Sequence, residues 1–167
     1  MSIVKAPRQD APAIAGIIRK SHKSVAEKFR LTLENCPTHP SLCQAEWVEK
    51  GMDRGEIYYL YLERGEMKGC VAFATPEPGI GYLNRLSVLP RHRRQGIGKA
   101  LVDHVLSQAR QHKLKEVTIG IIHAHTQLKD WYMKLGFQSV GTKDFNHLPF
   151  TVHYLSHDLG AGTGHTG

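Results

Sequence analysis

The chain has 167 residues, 41% of them hydrophobic and 22% charged, which are the proportions of an ordinary globular protein with one cored domain. No apolar run is long enough to cross a bilayer, and the opening MSIVKAPRQD lacks the apolar block of a secretory signal, so a cytoplasmic protein is expected. The net charge of +7 favours anionic partners without choosing among nucleic acid, phosphate-bearing cofactors and acidic surfaces.

Residues 3–6 (IVKA) suit a short strand. Asp10 then stands as an N-cap, with Pro12 in the first turn and Ile14, Ile17 and Ile18 on one helical face. Two prolines make 36–41 a loop, and a second short helix holds Trp47 and Val48, stopping near Gly51 or Gly55. The tyrosine-rich run 56–63 (EIYYLYLE) reads as a strand, 64–69 as a turn, 70–74 as a second strand, and 81–88 (GYLNRLSV) as a third, ended by Pro90. Short turns between such neighbours give an antiparallel meander.

The hydrophobic period then changes. Leu101, Val102, Val105, Leu106 and Ala109 place a helix over about 96–113. Residues 116–122 (EVTIGII) form a buried strand, 126–135 a helix stopped by Gly136, and 137–141 and 150–155 the last two strands. The fold class is therefore α/β in the mixed sense (α+β), a single sheet covered by helices, in one domain over 1–159. The glycine-rich tail 160–167 is expected to be disordered.

The most informative stretch is 91–102, RHRRQGIGKALV. It crowds cations around two glycines where the long helix begins. A helix N-terminus offers unpaired N–H groups and the positive end of the macrodipole. Gly96 and Gly98 let a phosphate approach that backbone, and Arg93 and Arg94 add charge-assisted donors. A Walker A loop fails here, because Lys99 is followed by Ala100 and the glycine spacing is wrong. A dinucleotide fingerprint fails too, since Leu101 stands at its third glycine and the preceding strands are hairpin-linked. The R-x-x-G-x-G loop that holds the pyrophosphate of coenzyme A fits Arg93, Arg94, Gln95, Gly96, Ile97 and Gly98 letter for letter.

With that loop, residues 82–109 resemble the acyl-CoA-binding core of the GNAT superfamily of N-acetyltransferases. The block LKDWYMKLGF at 128–137 is similar to the family's Y-x-x-x-G-F signature, at the expected distance downstream. The resemblance implies a GNAT-like fold, in which the antiparallel meander leads to a splayed parallel strand pair with helices on both faces. It implies acetyl-CoA as cofactor and direct attack of a primary amine, on a small molecule or a peptide, on the thioester. Leu86 and Val88 would supply backbone contacts to the pantetheine arm, and residues 93–99, ending at Lys99, would hold the pyrophosphate. The Val88 N–H would meet the thioester carbonyl, a donor worth about 2.7–4 kcal/mol as charge develops on that oxygen. Tyr132 would protonate the departing thiolate, a contribution of about 10²–10⁴-fold. Homodimers are common in the family, and nothing in this sequence marks one.

Two departures from the family pattern stand out. Where many members carry a Glu on the strand before the loop, this chain has Asn84 and Arg85. An alkylamine with pKa near 10.4 is neutral in only about 1 molecule in 2,500 at pH 7, a deficit of roughly 4.6 kcal/mol, so a proton acceptor is needed. His123, His125, His147, Glu34 and water are candidates, with His123 favoured because it ends the strand that would wall the cleft. Where the family usually has Asn contacting pantetheine, this chain has His125, which could donate the same bond or simply cap the next helix.

Cys36, His39 and Cys43 have the look of three zinc ligands but lack a fourth, and the 11 histidines are scattered, so no metal is expected. The three cysteines, Cys36, Cys43 and Cys70, have no framework spacing and read as free thiols. Asp144, in the loop before the last strand, could attract a cationic amine or cap a turn. The competing functional class is a non-catalytic module that binds acyl-CoA or nucleic acid. Nucleic acid is disfavoured, because the cations cluster at one turn and lack the interleaved aromatics of a single-strand platform.

Overall fold

The computed structural model describes residues 1–160; the expected tail falls, apart from Gly160, outside the described residues. Strand β1 (Ser2–Lys5) leads through a 3-10 turn into helix α1 (Ala11–Phe29). Ile14, Ile17 and Ile18 are buried as their spacing requires. Asp10 occupies the N-cap position but its side chain makes no capping bond. A proline-containing loop reaches α2 (Ala45–Asp53), followed by β2 (Ile57–Glu63), β3 (Glu66–Glu77) and β4 (Ile80–Val88).

Strand β3 is much longer than the 70–74 read from the sequence. The turn before it needs only Arg64 and Gly65, both at positive φ (54° and 75°), and the turn after it only Pro78 and Gly79 (φ 83°). The first turn, with both residues at positive φ, matches the twist of its strands, so pairing begins at once at Glu63 and Glu66; the second closes on Glu77 and Ile80 after a register irregularity beyond Ala74. Helix α3 (Ile97–Gln111), β5 (Glu116–Ile122), α4 (Thr126–Lys134), β6 (Gln138–Lys143) and β7 (Val152–Asp158) complete the chain.

All seven strands form one sheet in the order β1-β2-β3-β4-β5-β7-β6. The meander β1 to β4 is antiparallel, β4 and β5 are parallel, and β7 inserts between β5 and β6. Helices cover both faces. Tyr58, Leu60, Cys70 and Ala72 pack with Ile14 and Ile18 of α1 and Val48 of α2. Tyr59, Tyr61, Val71 and Phe73 pack on the opposite face with Leu101, Val102 and Val105 of α3 and with Tyr132. Burial on both faces explains why β2 is an unbroken apolar and aromatic run rather than an alternating one. Each large side chain so buried contributes about 1.5–3 kcal/mol.

Candidate active site

The parallel pairing of β4 with β5 is short. Ile80, Gly81 and Tyr82 pair with Glu116, Val117 and Thr118, after which the two strands part, although β4 continues to Val88 and β5 to Ile122. On its other side β4 carries a bulge. Ala72 pairs with Asn84 and Cys70 with Ser87, so Arg85 and Leu86 together oppose Val71. Arg85 takes φ 53° to make it. A bulge of this kind bends a strand and re-aims its side chains.

Beyond the divergence lies the start of α3. Gly96 stands at its N-cap position with φ 82°, and no side chain caps the helix. Its first N–H groups are therefore left for an external acceptor. A Cβ at Gly96 would meet nothing within 4 Å, so the space above this turn is open. A groove of about 310 Å³ runs here, lined by Leu86, Val88, Arg93, Arg94, Gly98 and Lys99 among others. Arg94 forms no hydrogen bond or ion pair with the described residues. Arg93 Nη2 donates to the Ser21 carbonyl (2.6 Å), and Lys99 Nζ pairs with Asp103 (2.8 Å). Ile97 also lines the groove while its side chain packs into the core.

A second cleft of about 340 Å³ joins this groove through Ser21, Leu86, Arg93 and Leu128, which border both. Tyr132 of α4 faces it, almost fully buried, and its hydroxyl makes no hydrogen bond with the described residues. Burial lifts its pKa far above the ordinary phenol value and keeps it protonated. His125 also lines the cleft. It sits at the N-cap position of α4 but caps nothing, and its Nδ1 is buried without a partner. Burial, and then Lys28, lower its pKa.

Sequence reasoning missed four residues here. Ser21 and His22 continue the stripe of Ile14, Ile17 and Ile18, and polar residues on a buried face were the signal that could have found them. Ser21 Oγ accepts from the Val88 N–H (3.1 Å), the very amide expected to meet a thioester carbonyl. His22 Nε2 lies 3.2 Å from Ser87 Oγ. Burial foremost, then His39, push His22 down to about 4. His39, weighed in the sequence only as a metal ligand, is buried; its Nδ1 accepts from the Ser41 N–H (3.2 Å) and it lines the cleft. Arg85 lines it too, donating through Nη1 to the Tyr58 hydroxyl (3.0 Å).

Two expected site residues stand apart. Gln95 is exposed and lines neither cavity. His123, the favoured choice of proton acceptor, is the second. It is exposed, outside the cleft, with its Nδ1 3.2 Å from Nδ1 of His153, the cross-strand partner of Ile121. His123 lies one residue beyond the end of β5, past Ile121 and Ile122, which do line the cleft, and its ring turns to His153. Glu34 and His147 are exposed and line neither cavity. Asp144 accepts from the Thr151 hydroxyl, which ties the loop and leaves it outside the cleft. Among the described residues, no group of three or more His, Cys, Asp or Glu side chains is arranged to hold a metal, and no helix is long and apolar enough to cross a membrane. All three cysteines are free and buried.

Parting strands above an uncapped, glycine-led helix are what the sequence resemblance requires, and residues 23–137 match the acetyltransferase (GNAT) family. The chain belongs to the GNAT family. Among curated relatives, this GNAT protein is 33% identical over 125 residues to N-acetylaspartate synthetase of Rattus norvegicus, covering 74% of this chain and 42% of that one. It is also 33% identical over 105 residues to N-acetyltransferase 8 of Rattus norvegicus, covering 60% and 47%. The chain thus spans less than half the length of these relatives. The fold is shared with the PaiA N-acetyltransferase of Thermoplasma acidophilum in complex with coenzyme A, at a TM-score of 0.77 and 14% identity over 95% of this chain and 99% of that one. It is also shared with the acetyltransferase-like yncA of Salmonella typhimurium, solved with its cofactor acetyl-CoA, at a TM-score of 0.69 and 18% identity over 95% of this chain and 94% of that one.

Proposed function

We propose that this chain is an acetyl-CoA-dependent N-acetyltransferase acting on a primary amine. The observation that carries the reading is the opening between β4 and β5, which leads from the uncapped start of α3 to the Tyr132 hydroxyl. The residues present suit acetyl-CoA. Unpaired first-turn N–H groups, the open space over Gly96 and the unpartnered Arg94 form a cradle for a pyrophosphate. The unpaired edge of β4 around Leu86 and Val88 offers main-chain groups to the pantetheine arm. Acetyl-CoA, when bound, supplies an acetyl group activated as a thioester. The Thermoplasma and Salmonella structures, solved with coenzyme A and acetyl-CoA, support the same choice.

The side chains divide the remaining work. Tyr132, kept protonated by burial, delivers its proton to the thiolate that leaves. The Val88 N–H polarises the carbonyl once the Ser21 hydroxyl that now accepts from it turns aside. His22, His39 and His125 replace His123 as candidate acceptors of the amine proton. All three face the cleft, and burial lowers each, so they stand neutral at pH 7.

The test is calorimetric titration of the full chain with acetyl-CoA, followed by release of free thiol in the presence of a panel of primary amines. One relative is named for an N-acetylated amino acid, so amino acids belong in the panel. Saturable binding and amine-dependent thiol release are expected. Folded protein that shows neither refutes the assignment.

A further inference from the structure

We infer that the amine acceptor is a small molecule carrying a carboxylate, and that Arg85 receives that carboxylate. The inference rests on the transferase reading above and deepens it. Charge is the first argument. The cleft is bordered by two arginines, Arg85 and Arg93, and three histidines, with no Asp or Glu among its lining residues. A cationic amine with no anionic group would find nothing there to attract it.

Arg93 is already engaged, through Nη2 to the Ser21 carbonyl, and it borders the cofactor groove as well. Arg85 is different. Its guanidinium is half-buried and has no carboxylate within ion-pair distance among the described residues. Its one hydrogen bond goes from Nη1 to the neutral Tyr58 hydroxyl, and its carbon lies 6.0 Å from the centre of the Trp47 ring. Glu56 adds to the field that raises the Arg85 pKa but does not reach contact. A guanidinium has five N–H donors in a planar fork matched to a carboxylate, so most of its donors await an acceptor. A half-buried cation whose partner is a neutral hydroxyl gains charge-assisted hydrogen bonds when a carboxylate enters the cleft.

Position is the second argument. Arg85 is the bulged residue of β4, one residue before Leu86, and the bulge turns it toward Tyr58 on the α1 side of the sheet. A carboxylate held there leaves the amine of the same small molecule near the β4 edge where the thioester is proposed to lie. The cleft's volume, about 340 Å³, suits an acceptor of amino-acid size.

Matched acceptors test this: amino acids such as glycine, alanine, aspartate and glutamate against the corresponding carboxamides, assayed by thiol release. The carboxamide has the less basic amine and hence the larger neutral fraction, so intrinsic reactivity favours it. A preference for the free acid therefore reports the pocket. We expect kcat/KM to favour the acid by about 30-fold or more, the scale of a buried charge pair losing one partner. Arg85→Ala should abolish that preference by raising KM for the acid while calorimetric affinity for acetyl-CoA stays unchanged. Arg85→Lys, which keeps the charge but not the fork, should retain part of it and covers the case in which the alanine variant fails to fold. Parent protein that acetylates the carboxamide as well as the acid overturns the carboxylate assignment and leaves the transferase reading standing. Parent protein that binds acetyl-CoA yet acetylates no acid in the panel, only amines without a carboxylate, also overturns it. Absence of both cofactor binding and thiol release overturns the two together.

Discussion

The cofactor groove and the acceptor cleft meet at Ser21, Leu86, Arg93 and Leu128 but are built in different ways. The groove is local: most of its lining comes from the unbroken stretch between Leu86 and Lys99. The cleft is assembled from α1, the loop holding His39, the β4 bulge, β5, α4 and the approach to β7. The contacts proposed for the groove are mainly main-chain amides, which any sequence that forms the turn supplies. Those proposed for the cleft are side chains, and each depends on the register of a different element. The difference teaches where a binding function tolerates substitution and where it does not.

The sharpest way to break the comparison is at Tyr132, a cleft residue. Tyr132→Phe keeps the ring that packs edge-on against Trp131 and Phe137 and removes only the hydroxyl. We expect kcat to fall by about 10²–10⁴-fold with acetyl-CoA affinity nearly unchanged, read by steady-state kinetics beside calorimetry. A rate within twofold of the parent, with chemistry rate-limiting, would remove Tyr132 from the reaction.

Gly96→Val probes the groove in the opposite sense. The Cβ has room, but the φ of 82° is a conformation that a β-branched residue strongly resists. A strain of about 1–2 kcal/mol, or distortion of the amides, should weaken acetyl-CoA binding by about tenfold or more while kcat at saturation changes less. Unaltered affinity in a folded variant would separate the helix start from cofactor binding.

The smallest effect is expected where the two regions join. Ser21→Ala frees the Val88 N–H and removes one hydrogen bond between α1 and β4. Stability should drop by about 1 kcal/mol in denaturant titration, with kcat equal to or above the parental value. A fall in kcat beyond tenfold would instead assign carbonyl activation to the serine hydroxyl.

Much of this molecule was legible in advance, for identifiable reasons. The apolar periods of α1 and α3 located both helices, because a helix needs one continuous buried stripe. The order of elements, the meander and the glycine turn were readable as well, since each depends on neighbours in sequence. The length of β3 was not, because Arg64 rather than a glycine takes the first positive φ of its turn. Nor was the place of His123, which lies just past the end of β5 and turns its ring to His153. Ser21 and His22 were visible as polar interruptions of an apolar stripe but carried no motif.

What the sequence by itself determined was the family and the glycine turn that starts α3, since glycine spacing acts through one helix terminus only a few residues long. What only the tertiary structure decided was the acceptor side. A bulge in one strand, the docking of α1 and the path of the loop before Pro40 bring Arg85, His22 and His39 to one cavity. No interaction within a single segment specifies that meeting; it arises from the packing of several elements around one sheet.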